Sequence, residues 1–209
     1  MKNIAQRQMS VCLFCIFLFS IVATGLVPAD ALASGDGCTI TVGTCESVSD
    51  PTNCTVTCTG TCGNVRIGRA DNTTNNATII VETGATLSNV RIHVGTNGSI
   101  TTAGNITSTT ENTTNVFGTI LLNTGSSATV TNGTISNTGT ATGSVVRAAI
   151  QKVDNATGTH VTVTGGTLSG TAIFYPIYDK YTGAGGMDIT ITGGTLTSTH
   201  NSIVLNSSS

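Results

Sequence analysis

Two stretches govern what this chain can fold into: residues 160–168, HVTVTGGTL, and residues 188–196, DITITGGTL. Each alternates apolar residues with Thr, turns on a Gly pair and ends on Thr-Leu. Alternation with a period of two marks a strand with one face buried and the other wet. A Gly pair ends such a strand, because glycine reaches turn conformations that Thr and Val avoid. The two stretches start 28 residues apart, and looser copies lie upstream. They predict successive rungs of a repetitive β-structure.

Composition points the same way. Of 209 residues only 9% are charged and 4% aromatic, Trp is absent, and Gly numbers 25. A compact core of this length carries more large apolar side chains, and a disordered chain carries more charge with less Val and Ile. Small β-branched residues stacked rung on rung suit a solenoid. A net charge of −2 gives no basic footprint for nucleic acid or for anionic membranes.

Residues 1–33 read as a signal peptide. Lys2 and Arg7 supply the positive start, residues 11–27 the apolar centre, and Ala31-Leu32-Ala33 a cleavage site before Ser34. The competing reading is an uncleaved membrane anchor, since the apolar run is long for a signal peptide and slightly short for a span. Cys12 and Cys15 follow Val11 and Phe14 rather than the small residue that lipidation needs. On either reading the rest of the chain is exported, and membrane contact is limited to export.

Five cysteines, Cys38, Cys45, Cys54, Cys58 and Cys62, crowd residues 34–63, and none follows. In an exported chain disulfides are the default use. A spacing of four puts Cys54, Cys58 and Cys62 on one face of an extended strand, suited to stapling the exposed end of a solenoid. Zinc is disfavoured, because these five include no Cys-x-x-Cys pair and the nearest His is His93. Five is odd, so one thiol stays free or pairs between chains.

Residues 64–209 form the repeat region. A five-residue turn pattern, Thr first and Leu or Ile last, starts at Thr83, Thr96, Thr131, Thr164 and Thr192, at intervals of 13, 35, 33 and 28. Rungs of roughly 20 to 30 residues are ordinary, so the short interval predicts neighbouring strands of one rung. Residues 144–154, SVVRAAIQKVD, are the one helix candidate, and their β-branched flanks favour a strand. Residues 174–187, FYPIYDKYTGAGGM, hold every Tyr and are expected to bulge from the stack as a long turn. Tyr175, Tyr178, Asp179, Lys180 and Tyr181 are the candidate ligand contacts, since exposed Tyr on a rigid scaffold is a common recognition device.

The signal peptide, the VTVTGGTLSGTAI and ITITGGTLTSTHNSI rungs and the poverty in charge and aromatics together resemble the passenger regions of bacterial autotransporters and related surface adhesins. The resemblance covers residues 64–209. It implies a right-handed parallel β-helix that presents adhesive or enzymatic loops, secreted or at the cell surface in association with the outer membrane. The expected partner is a host surface protein or glycan. A translocator barrel would add runs of about ten alternating residues with aromatic girdles, and these do not occur here. A truncated passenger, a gene fragment and a protein secreted by another route all stay open.

Catalysis finds little support. A glycosidase needs two carboxylates held several ångströms apart, and the acids here make no close pair and recur at no rung position. Asp179, Lys180 and Asp188 are the best candidates for a polysaccharide-active site, the alternative to a non-catalytic adhesin. His93, His160 and His200 lack metal-ligand spacing, and no nucleophile elbow or phosphate loop occurs. Neither metal nor cofactor is expected. A third class is ice binding. Thr-x-Thr recurs at Thr39/Thr41, Thr55/Thr57, Thr129/Thr131, Thr162/Thr164 and Thr190/Thr192, and CTVTCT at residues 54–59 resembles the coils of insect antifreeze proteins. The uneven intervals are expected to break a flat array. Asn-x-Ser/Thr triplets beginning at Asn53, Asn76, Asn97 and elsewhere could carry glycans in a eukaryotic secretory pathway.

Overall fold

A computed structural model describes residues 39–41, 51–64, 66–68, 76–109, 118–139, 147–170, 174–179, 185–199 and 203–204. The expected signal peptide, Cys38, Cys45, Lys180 and Tyr181 lie outside them.

Every described element is a strand. After β1 (Thr39–Thr41) the chain takes strands three at a time. The first rung is β2 (Thr55–Thr59), β3 (Thr61–Gly63) and β4 (Arg66–Ile67); the second is β5 (Thr78–Val81), β6 (Thr86–Ser88) and β7 (Arg91–Val94). The third is β8 (Ser99–Thr102), β9 (Asn105–Ser108) and β10 (Gly118–Leu122); the fourth is β11 (Ser127–Val130), β12 (Thr134–Asn137) and β13 (Arg147–Lys152). The fifth is β14 (Thr159–Val163), β15 (Thr167–Gly170) and β16 (Phe174–Asp179); the sixth is β17 (Met187–Ile191), β18 (Thr195–Leu196) and β19 (Ile203–Val204). First strands stack as sheet I, β1-β2-β5-β8-β11-β14-β17. Second strands stack as sheet II, β3-β6-β9-β12-β15-β18, and third strands as sheet III, β4-β7-β10-β13-β16-β19. All pairings are parallel except that of β1 with β2. The protein is all-β, with parallel strands in stacked sheets, a winding compatible with a β-solenoid.

The period-two alternation builds the core directly. Ile67, Ile92, Ile120, Ile150, Ile177 and Ile203 stack in register along sheet III. Cys62, Leu87, Ile106, Ile135, Leu168 and Leu196 do so along sheet II. Sheet I adds Val56, Ile79, Ile100, Ala128 and Val161, and the buried members of all three columns share one core cluster. Each fully buried Ile or Leu contributes about 1.5–3 kcal/mol. Identical neighbours on successive rungs also nest without strain, and so a chain poor in aromatics can fill its interior.

The uneven intervals are absorbed at the corners. In sheet I, Thr57 pairs with Ile80, Ile80 with Thr101, Thr101 with Thr129, Thr129 with Thr162 and Thr162 with Thr190. The rungs therefore take 23, 21, 28, 33 and 28 residues. Turns from sheet I to sheet II stay short, so extra length falls between sheets II and III or on the return to sheet I. The turn copies at Thr83, Thr131, Thr164 and Thr192 lead into sheet II, whereas Thr96 leads into β8 of sheet I. The copies at Thr83 and Thr96 are thus on successive rungs with β7 between them, not on neighbouring strands. Residues 102–106, TAGNI, form the missing sheet II corner, with Asn in place of the second Thr. Residues 147–152 of the helix candidate form β13, a strand buried along its whole length.

The Asn-x-Ser/Thr triplets at Asn53, Asn76 and Asn97 have a backbone explanation. All three residues adopt the left-handed conformation, with φ of 51°, 55° and 55°, which Asn tolerates better than other side chains. They stack at the corner that opens sheet I, and Asn76 Nδ2 donates to Asn53 Oδ1 at 2.9 Å. The Thr or Ser two places on begins the strand. In these three triplets corner and strand chemistry place both Asn and hydroxyl.

Cys54, Cys58 and Cys62 all face the interior but do not share one strand: Cys54 precedes β2, Cys58 lies on it and Cys62 lies on β3. Cys54 and Cys62 are each held in a disulfide, and among the described residues Cys58 is a free thiol. Burial pushes the Cys58 thiol up to about 12 from an ordinary 9.0. An unfolded chain gives up this proton first as pH rises, so stability is full below about pH 9 and falls between there and about 12. The expected slope is ~1.4 kcal/mol per pH unit. Urea titrations at pH 8 and pH 10 should show that loss in the native sequence and not in Cys58→Val.

Candidate functional site

Tyr175 and Tyr178 do not bulge from the stack. Residues 174–179 form β16, paired with β13 on one side and β19 on the other. The sequence FYPIYD lacks the Gly and Asn of the true corners, and Phe, Tyr and Ile favour strands. Pro176 cannot donate to a ladder, and the register is kept on either side of it by Tyr175 opposite Ala148 and Ile177 opposite Ile150. Phe174, Ile177 and Asp179 are buried, while Tyr175 and Tyr178 are half-buried.

Tyr175 and Tyr178 stack on each other, ring centroids 5.3 Å apart and planes inclined by 29°. Such a pair is worth about 0.5–1.5 kcal/mol beyond its burial, and it fixes both rings on a rigid strand. Burial pushes the Tyr178 hydroxyl above its ordinary value, with Tyr175, Asp154 and Asp179 adding to the shift. Two aromatic rings held against each other can offer apolar edges and hydroxyl hydrogen bonds to a sugar or a peptide.

Asp179 is not part of that surface. Its carboxylate lies 2.9 Å from Lys152 Nζ, with the side chains 1% and 0% exposed. The Met187 amide donates to Asp179 Oδ2 at 3.1 Å, and Lys152 Nζ donates to the Gly185 carbonyl at 2.6 Å. The two residues oppose each other across β13 and β16, in the column that Val94 and Leu122 occupy on earlier rungs. They fasten the chain that leaves β16 to the start of β17. The acid best placed in sequence for chemistry beside the tyrosines is thus a structural member of the core. Asp188 instead makes an exposed contact with His160 at 3.2 Å, of the kind that contributes little. Among the described residues no three His, Cys, Asp or Glu side chains gather to hold a metal ion.

No protein family matches the chain, and no curated protein or solved structure does either.

A feature that sequence reading discounted is the outer face of sheet I. One outward column runs Thr57, Ile80, Thr101, Thr129, Thr162 and Thr190, and beside it runs Thr55, Thr78, Ser99, Ser127, His160 and Asp188. All twelve side chains are exposed or half-buried. The uneven intervals do not break this array, because register holds through every rung. The equivalent face of sheet III differs: His93, Leu121 and Gln151, which follow the inward Ile column by one residue, are buried. The hydroxyls of sheet II are partly engaged inside the protein, Ser136 with Thr107 and Ser88 with the Cys62 carbonyl.

Proposed function

We propose that this chain is an exported right-handed parallel β-helix, stapled by disulfides at its N-terminal end, that acts as a non-catalytic adhesin or structural passenger. Export follows from the signal peptide in residues 1–33. The handedness follows from the likeness to autotransporter passengers and from the strong preference of parallel crossovers for the right hand. The observation that carries the binding role is the stacked Tyr175–Tyr178 pair, half-exposed on a strand rather than on a pliable loop. Rigid aromatic contacts lose little conformational freedom on binding and dominate recognition surfaces. A host surface glycan or protein is the expected partner. Withdrawal of Asp179 into the core favours adhesion over polysaccharide cleavage.

The test is a Tyr175→Ser, Tyr178→Ser double variant of the full chain. Binding to host cell layers and to a glycan array should weaken at least tenfold, about 1.4 kcal/mol, with the circular dichroism spectrum unchanged. Undiminished binding by the folded variant sinks the tyrosine patch as the contact.

A further inference from the structure

The geometry of sheet I points to a second binding surface, one that engages the ordered water of an ice crystal face. Adjacent strands of a sheet lie about 4.8 Å apart, and alternate residues along a strand roughly 6.6 Å apart. The columns headed by Thr55 and Thr57 therefore set oxygen-bearing side chains on a near-rectangular net of those two spacings. Thr55 and Thr57, Ser99 and Thr101, and Ser127 and Thr129 give three rungs with a hydroxyl at both positions, and Thr78 gives one at the rung between. Thr162 and Thr190 carry the first column on through the fifth and sixth rungs. Parallel register repeats the same backbone at each step, so β-branched Thr is held to few rotamers. The net thus stays regular over the length of the sheet.

The chemistry of the face selects its occupant. It bears no aromatic ring, so it lacks the stacking platform that a flat polysaccharide would need. Ionisable side chains are confined to His160 and Asp188 at one end, where they contact each other, which leaves little to attract an ionic surface. What remains is methyl and hydroxyl in alternation, suited to holding water in a fixed lattice and joining that lattice to ice. In the adjoining outward column Thr131 and Thr164 turn their hydroxyls down onto the Thr102 and Val130 carbonyls. These bonds stiffen one margin of the net. This surface is separate from the tyrosine patch and stands or falls independently of it.

Thermal hysteresis and the shape of growing ice crystals, measured on the full exported chain, test the inference. The native protein should hold and facet ice crystals. Thr101→Tyr and Thr129→Tyr, each projecting a ring through the middle of the net, should lose most of that effect. Thr129→Val, which keeps the methyl shape, should lose less. Thr167→Tyr on sheet II and the Tyr175→Ser, Tyr178→Ser variant should both retain it. A folded native protein without hysteresis or ice shaping overturns the inference. So does equal loss in Thr129→Tyr and Thr167→Tyr, or retention on crystalline cellulose or chitin without any effect on ice.

Discussion

Lys152→Met should lower the unfolding free energy by about 3–5 kcal/mol, the usual effect of stripping one partner from a buried ion pair. The Met side chain itself fits the site, since the same column is Leu122 and Val94 one and two rungs earlier. The loss arises from the Asp179 carboxylate, 1% exposed and left without its cation. Asp179→Leu alone should cost a similar amount, by stranding the ammonium of Lys152. The double variant separates the pair from its surroundings. With both charges gone the column becomes aliphatic throughout, and replacing a buried pair by apolar residues is often neutral or better. Here it falls short of neutral, because the Met187 amide loses its acceptor and the Gly185 carbonyl its donor. The buried Met187 amide costs about 1–3 kcal/mol when unpaired, whereas Gly185 is exposed and water can reach its carbonyl. The double variant should therefore sit above both single ones and below the native chain in urea denaturation. Additive losses would mean that the two residues act separately, contrary to their 2.9 Å contact.

How far the sequence could be read depended on where the determining contacts lie. The strands of sheets I and II were legible because their alternation is local: HVTVTGG declares its own inward Val161 and Val163. The interior was legible for the same reason, as each Ile or Leu marks its own rung. Register was not legible. Intervals of 13 and 35 between turn copies fit corners of varying length, but they also argue against a flat array of Thr. The extra residues in fact sit at two corners and leave the sheets undisturbed. That misjudgement hid the columns of sheet I. It also gave Thr96 the wrong rung, because the corner that opens sheet I uses the same Thr-Asn-Gly chemistry as the corner that closes it. The tyrosines misled differently. FYPIYD breaks the Thr/Gly texture around it, but a change of texture signals a covered sheet as readily as a loop, and β16 lies on sheet III, where the neighbouring outward residues are buried. Lys152 and Asp179 are 27 residues apart in a chain with scattered charges, and only the pairing of β13 with β16 brings them together.

The glycines of the corners that lead into sheet II offer the second large effect, through a comparison between two of them with nearly the same backbone angle. Gly84 has φ +82° and Gly166 has φ +77°, so alanine at either site carries the left-handed strain of about 1–2 kcal/mol. Their surroundings differ. A Cβ at Gly84 would meet nothing within 4 Å, whereas at Gly166 it would lie 2.6 Å from the Gly133 carbonyl oxygen and 2.8 Å from the Asn132 carbonyl carbon. Both are backbone atoms of the rung beneath, fixed by the ladder in which the Thr167 amide donates to that same Gly133 oxygen at 2.8 Å. Relief requires the rungs to part, and forced shifts of this kind add about 1–3 kcal/mol. Gly84→Ala should thus lose about 1–2 kcal/mol and Gly166→Ala about 3 kcal/mol or more, read by circular dichroism in urea because the chain has no Trp. The mechanism follows from the difference between the two variants. Equal losses would assign both glycines to turn conformation alone. A larger loss at Gly166 assigns it to close stacking, in which this turn lies directly on the turn below and leaves no room for a side chain.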